Sequence, residues 1–151
     1  MRIGVISDTH GLVRPEALTA LESVDAIVLA GDIGKPHVLD ELQSIAPLFA
    51  IVGNVDVGKW ADAIPATRTL ELGGWRIHLV HDVSELDPEV VDTVDVVVFG
   101  HSHKPLVQWR DGVLFLNPGS AGPRRFKLPI TLAHLDLDEN GIDAHLVQLV
   151  E

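Results

Sequence analysis

The chain has 151 residues, 46% of them hydrophobic, enough for one domain (residues 1–151) that buries about 70% of its unfolded surface. Lys and Arg total 11 against 22 Asp and Glu, and a formal net charge of −11 is the wrong sign for gripping nucleic acid along a broad basic face. There is no cysteine, which excludes disulfides and thiolate metal sites and leaves His, Asp, Glu, Asn or backbone oxygen as metal donors, with eight histidines available.

The amino-terminal run MRIGVISDTHG holds too short an apolar stretch for a secretion signal. No segment reaches the roughly 20 apolar residues of a membrane helix, so a cytoplasmic protein with no membrane partner is expected. Short Val- and Ile-rich runs bounded by Gly, Pro, Asp or Asn predict buried strands at RIGVIS (2–7), DAIVLAG (25–31) and PLFAIVG (47–53). Between the first two, PEALTALESV predicts a helix, with Pro15 at its first position and apolar residues at Ala17, Leu18, Leu21 and Val24. KPHVLDELQSI, opened by Pro36, predicts the next helix. This alternation is a βαβαβ unit, which favours parallel strands and right-handed crossovers.

The second half is richer in hairpins. TRTLEL and WRIHLVH flank Gly73-Gly74, a short helix at DPEVVD leads into the strand VDVVVFG, and PLVQWR and VLFLN flank Asp111-Gly112. ITLAHLDLD and IDAHLVQLV then flank Glu139-Asn140-Gly141. The expected class is α/β, a layered β-sandwich of two mixed sheets flanked by helices. Exposed hairpin edges leave room for a homo-oligomer.

The residues that follow each apolar strand are of one chemical kind. The ends are Asp8-Thr9-His10-Gly11, Gly31-Asp32, Gly53-Asn54-Val55-Asp56, His81-Asp82 and Gly100-His101-Ser102-His103. Ligands of open α/β sheets bind outside the carboxyl ends of the strands, so these ends converge on one edge. Their oxygen and nitrogen donors suit Mn, Zn, Fe, Ni or Mg, and they outnumber what one tetrahedral ion takes. In extended backbone, residues i and i+2 share a side roughly 6.8 Å apart, the expectation for Asp8 with His10 and for His101 with His103. Ions of a two-metal site lie about 3.5 to 4 Å apart, so each histidine of such a pair can reach a different ion, with Asp32 or Asp8 as the shared carboxylate.

The ordered series DxH, GD, GNxD, H and GHxH, followed by Asn117-Pro118-Gly119-Ser120, resembles the calcineurin-like metallophosphoesterase superfamily, in particular its short bacterial and archaeal phosphodiesterases. The resemblance implies that Asp8, His10 and His103 hold one divalent ion, that Asn54, His81 and His101 hold the other, and that Asp32 bridges them. It implies two divalent ions, Mn first and Zn, Fe, Ni or Mg otherwise, and hydrolysis of small phosphoesters, diesters ahead of monoesters. A hydroxide bridging the ions is the expected nucleophile. Two divalent ions against Asp8 and Asp32 leave a local formal charge of about +2, which suits phosphate in an acidic chain.

Substrate contact is expected from Asn117 and from Arg124, whose Pro123-Arg124 resembles the PR that follows NPGS in relatives, with Arg14 a weaker candidate. Larger protein phosphatases of the family carry a histidine directly after the GN asparagine. Here that residue is Val55, which cannot protonate a leaving group and so favours esters with good ones. Asp56 is expected to support the site. Asp82 reads either as an acceptor orienting an imidazole or, preferred, as a solvated loop acid. His37, His78, His134 and His145 are assigned packing or surface roles. The rival function is a non-catalytic protein-interaction scaffold on the same fold, as in retromer's small subunit. A large nucleic-acid interface is not expected.

Overall fold

Side-chain alternation along β1 (Arg2–Ile6) sets how the layers stack, because successive residues of a strand face opposite ways. Ile3 and Val5 enter one apolar cluster and Ile6 a second one on the opposite face. Gly4 shares that second face, where an added Cβ would collide with Leu21 and crowd Val24, so the glycine admits a close-packed helix.

The computed structural model describes residues 1–151. After β1 come α1 (Pro15–Ala20), β2 (Ala26–Ala30), α2 (His37–Gln43), β3 (Leu48–Ile51), α3 (Lys59–Asp62), β4 (Thr67–Leu72) and β5 (Trp75–Val80). A 3₁₀ turn (Val83–Glu85), α4 (Pro88–Val91), β6 (Val96–Val98), β7 (Leu106–Arg110), β8 (Val113–Asn117), β9 (Ile130–Asp138) and β10 (Gly141–Val150) complete the chain. The strands form two five-stranded sheets, ordered β10-β9-β1-β2-β3 and β4-β5-β6-β8-β7. Within them β1, β2 and β3 run parallel, as do β5, β6 and β8, while β9, β10, β4 and β7 pair antiparallel.

The two sheets pack face to face over a cluster of 16 buried residues that includes Ile3, Val28, Ile77, Val96 and Leu114. A second cluster of 13, with Ile6, Leu21, Leu29, Val38 and Leu42, lies under α1 and α2. A third of 6, with Val97, Phe99 and Phe115, is covered by Val83 and Leu86 of the 3₁₀ region and by Val90 and Val91 of α4. Fully burying one such aliphatic side chain contributes about 1.5–3 kcal/mol, so both outer faces need their helical cover. The β-sandwich of two mixed sheets flanked by helices is the fold class expected from the sequence.

All three hairpins expected from glycine-containing turns are present. Gly73-Gly74 (φ 59° and 85°) and Asp111-Gly112 (φ 49° and 82°) supply the two consecutive positive φ angles of a type I′ turn. The first helix stops at Ala20 instead of running to Val24, because Glu22 and Val24 donate to carbonyls three residues back, at Thr19 and Leu21. Leu21 and Val24 are nonetheless buried, as their spacing requires. Helix α3 carries no strong sequence signal. No helix is long and apolar enough to cross a membrane.

Candidate metal centre

The parallel strands bring their carboxyl ends to one edge of the sandwich, and backbone hydrogen bonds join the loops there. Asp8 N donates to Gly31 O (3.1 Å), His10 N to Asp32 O (2.9 Å) and Gly100 N to His81 O (3.0 Å). The first two bonds join the loops after β1 and β2, and the third joins those after β5 and β6. Across the sheets, His101 N donates to Asp8 Oδ2 (3.2 Å).

Of the seven residues expected as ligands, Asp8, His10, Asp32, His101 and His103 have positive φ, between 47° and 71°. Elsewhere only Asp111 and Phe126 do so among non-glycine residues. The left-handed region costs an ordinary residue about 1–2 kcal/mol, and such strain gathers where surrounding structure holds side chains in working positions. This corrects the expectation of an extended i, i+2 pitch in DTH and GHSH: both segments turn sharply as they leave their strands. Glycines make room for the turns. A Cβ at Gly53 would collide with Asp32, and one at Gly100 with Ser7 and Asp8.

The turns sort the donors into two groups. Donor atoms of Asp8, His10 and His103 lie within 4.8 Å of one another, and so do those of Asp32, His81 and His101. The two histidines of GHSH therefore go to different groups, His103 beside His10 (ring centroids 5.3 Å) and His101 beside His81 (5.3 Å). Asp32 Oδ2 lies between the groups, 3.2 Å from His81 Nε2 and 3.8 Å from His10 Nε2. Asn54 shares a groove with His81, Asp82 and Glu85.

Each carboxylate is anchored through one oxygen and presents the other. Asp8 Oδ2 takes the His101 N–H and Asp32 Oδ1 takes the Val55 N–H (3.2 Å), leaving Asp8 Oδ1 and Asp32 Oδ2 turned inward. His81 Nδ1 is spent on the Ala30 carbonyl (2.7 Å), which fixes the tautomer and turns Nε2 towards the carboxylates. Asp8 Oδ1 and His81 Nε2 are buried without a hydrogen-bond partner. Buried polar atoms are normally paired, so an inward-facing oxygen in one group and a nitrogen in the other, both left without a hydrogen bond, fit donors meant for cations.

The titration behaviour agrees. Burial pushes the Asp8 carboxyl up to about 7 despite nearby His81. Burial also works against charge on Asp32 and His81, but the two stabilise each other: Asp32 is held at about 2 and His81, helped by the Ala30 carbonyl and Asp8, is raised to about 9. Burial, then Arg125, push His103 down to about 4, and burial lowers His10. The site thus recruits a proton onto His81 to balance its carboxylates, the role a divalent cation would take over.

Supporting residues lie around this arrangement. Asp56 accepts from Gly53 N (2.9 Å), Ile33 N (3.1 Å) and Gly34 N (2.9 Å), tying the Asp32 loop to the Asn54 loop. Asp82 Oδ1 caps the 3₁₀ turn by accepting from Ser84 N (3.0 Å), while its Oδ2 lies 3.8 Å from His101 Nε2. Asn117 does not occupy the position expected of a substrate contact. Asn117 is fully buried, donating to Gly100 O (3.1 Å) and Ser102 Oγ (3.2 Å) and accepting from Gly119 N (2.9 Å), so it braces the GHSH loop. Arg124 donates to Leu128 O (3.2 Å) and Glu151 O (2.9 Å), and Arg14 to Gly122 O (3.2 Å). The arginine whose charge bears on the site is Arg125, which lowers both His10 and His103. His37 bridges Glu41 Oε2 (2.7 Å) and Gly11 O (2.8 Å), while His78, His134 and His145 pair with Thr69, the Ala20 carbonyl and Asp136.

Comparison with known proteins gives these features a family. The calcineurin-like phosphoesterase superfamily domain matches residues 1–140. A probable metallophosphoesterase of Methanothermobacter thermautotrophicus is 33% identical over 161 aligned positions, covering 98% of this chain and 92% of the relative. A solved structure described as a novel archaeal phosphodiesterase superposes with a TM-score of 0.80 at 24% identity, covering 97% of this chain and 100% of that one. Vps29 of Entamoeba histolytica, solved with zinc, superposes with a TM-score of 0.75 at 21% identity, covering 99% and 100%. The last two similarities, below a quarter identity, establish the shared fold; the sequence match over most of the chain establishes more, and the chain belongs to the calcineurin-like phosphoesterase superfamily.

Proposed function

We propose that the chain is a phosphodiesterase working with two divalent ions. The observation that carries this reading is the pair of donor groups meeting at Asp32 Oδ2. Asp8, His10 and His103 would hold one ion, Asn54, His81 and His101 the other, and Asp32 would serve both. Nitrogen and oxygen donors without sulfur suit Mn first, and accept Zn, Fe, Ni or Mg. When bound, such a pair supplies Lewis acidity towards phosphoryl oxygens and a water acidified to roughly neutral pKa as nucleophile.

The chain's own residues fix the donors and steer the ester. The Ala30 carbonyl keeps His81 Nε2 directed inward, and Asp56 fixes the spacing between Asp32 and Asn54. Arg125 carries a permanent positive charge that disfavours protonation of His103 and His10, and in this reading that charge also attracts the anionic ester. Val55 gives its backbone N–H to Asp32 and has no side-chain proton to give a leaving group, so esters with good leaving groups turn over fastest. Preference for diesters over monoesters is supported by the shared architecture of the archaeal phosphodiesterase.

The test is metal analysis of protein purified without chelator, followed by Mn-supplemented hydrolysis of bis-p-nitrophenyl phosphate and p-nitrophenyl phosphate in parallel. About two ions per chain, faster diester hydrolysis and loss of turnover in Asp32→Asn are expected. No bound metal, no turnover and an Asp32→Asn protein indistinguishable from the parent would overturn the enzyme reading and leave the scaffold.

A further inference from the structure

More than half of the basic residues of this acidic chain fall in four of its strand-end loops. Of its 11 basic residues, Arg14, Lys35, Lys104, Arg124, Arg125 and Lys127 lie in the loops after β1, β2, β6 and β8. The groove that holds Asn54 and His81 is instead lined by Asp82 and Glu85. Arg14 and Arg124 are committed to backbone carbonyls. Lys104, which directly follows His103, then lies with Lys127 and Leu128 around a single aromatic ring, that of Phe126.

Phe126 is 88% exposed and has a φ of 54°. A loop needing only to turn and stay soluble would place Gly or Asn at that backbone conformation. An aromatic residue there carries the strain and leaves its ring in water, with no packing in the free chain to offset either cost. The loop is nevertheless firmly held. Arg124 ties it to the Leu128 and Glu151 carbonyls, Arg14 holds Gly122 O, and Leu128 N donates to Arg125 O (3.1 Å). The open hollow beside the ring measures about 720 Å³, room enough for a base laid against it.

We propose that Phe126 is a stacking platform for a nucleobase, with Lys104 and Lys127 flanking it for anionic groups, so that the substrate class is a small nucleotide phosphodiester. This rests on the phosphodiesterase reading and adds the recognition of the group carried by the ester. Base–aromatic stacking tolerates different bases, and the cations are complementary to the phosphates such a substrate carries. The patch is local on a chain of net charge −11, which suits a mononucleotide or dinucleotide rather than a long polymer.

Two esters with one leaving group separate the contributions: thymidine 5′-(p-nitrophenyl phosphate) and ethyl p-nitrophenyl phosphate. With Mn-loaded protein, kcat/KM is expected to favour the thymidine ester, and Phe126→Ala to lower that preference about ten-fold, mainly through KM, with Phe126→Trp retaining it. Calorimetric titration of the loaded protein with thymidine 5′-phosphate and ribose 5-phosphate gives a readout independent of turnover. The nucleotide is expected to bind about ten-fold tighter than the sugar phosphate in the parent, and equally in Phe126→Ala. Equal affinity for the two ligands in the parent, or a nucleotide advantage that survives Phe126→Ala, would overturn the platform. Base-dependent binding through Phe126 without hydrolysis of either ester would uphold the platform and overturn the phosphodiesterase reading.

Discussion

The two donor groups are built to different depths. In one, Asp8 is fully buried and His103 is 2% exposed, beneath loops that also bring in Arg125. In the other, His81 is buried but the His101 side chain is 46% exposed, Asn54 is exposed, and Asp82 and Glu85 line the groove beside them. Burial pre-positions ligands and excludes competing water, so under the two-ion proposal the first group would hold its ion more tightly and the second would exchange its ion more freely.

The sharpest way to break this comparison is to remove one histidine from each group. His103→Ala leaves Asp8 Oδ1 buried beside a new void, whereas His101→Ala opens a position already shared with solvent. Metal affinity, measured by competition with a chelator, should fall about 10–100-fold further in His103→Ala than in His101→Ala. Equal losses would mean that depth does not control affinity here.

Asp56→Ala acts on the second group from below. It leaves three backbone N–H groups at Ile33, Gly34 and Gly53 without their acceptor, at a stability cost of about 3 kcal/mol measured by urea unfolding. Chelator competition should show the more exposed ion weakened most, since Asp56 spaces Asp32 from Asn54. Val55→His, on the open side, should raise turnover of an alkyl phosphodiester with a poor leaving group by about ten-fold while barely changing that of a p-nitrophenyl ester. No gain on the alkyl ester would remove Val55 from the account of leaving-group preference.

The smallest effect is expected far from both groups. Arg2, pairing at 2.8 Å, and then His145 hold the Asp136 carboxyl at about 2, below the ordinary range. A depressed carboxyl contributes stability that is present above about pH 4 and is lost as pH falls from there towards 2. Asp136→Asn should therefore lower the melting temperature slightly at pH 7, with the difference from the parent vanishing near pH 2. Because the pair is exposed, solvent screening keeps its contribution at neutral pH small. Metal affinity should not change.

The depth difference was not legible in the sequence, although the donors were. Strand ends such as Gly31-Asp32 and Gly100-His101-Ser102-His103 are visible because a buried parallel strand is a continuous apolar run, so the polar residue that ends it stands out. The hairpins were visible because Gly73-Gly74 and Asp111-Gly112 supply the φ angles that type I′ turns need. The left-handed turns at Asp8, His10, His101 and His103 were not, since those residues have no local preference for φ > 0 strong enough to announce it. They are held there by contacts from distant strands, such as Asp8 Oδ2 with His101 N. The same limit explains Asn117 and Arg124, which have the chemistry to touch a phosphate but are consumed by neighbouring backbone groups. It also explains Arg125 and Phe126, whose placement follows from how one loop is pinned.

The division of GHSH between two ions is the claim on which the rest depends. Diffraction from crystals of Mn-loaded protein, recorded at the Mn absorption edge, locates the ions directly. Two anomalous peaks are expected about 3.5–4 Å apart, one beside Asp8, His10 and His103, the other beside Asn54, His81 and His101, with Asp32 between them. A single peak bonded to both His101 and His103 would contradict the account.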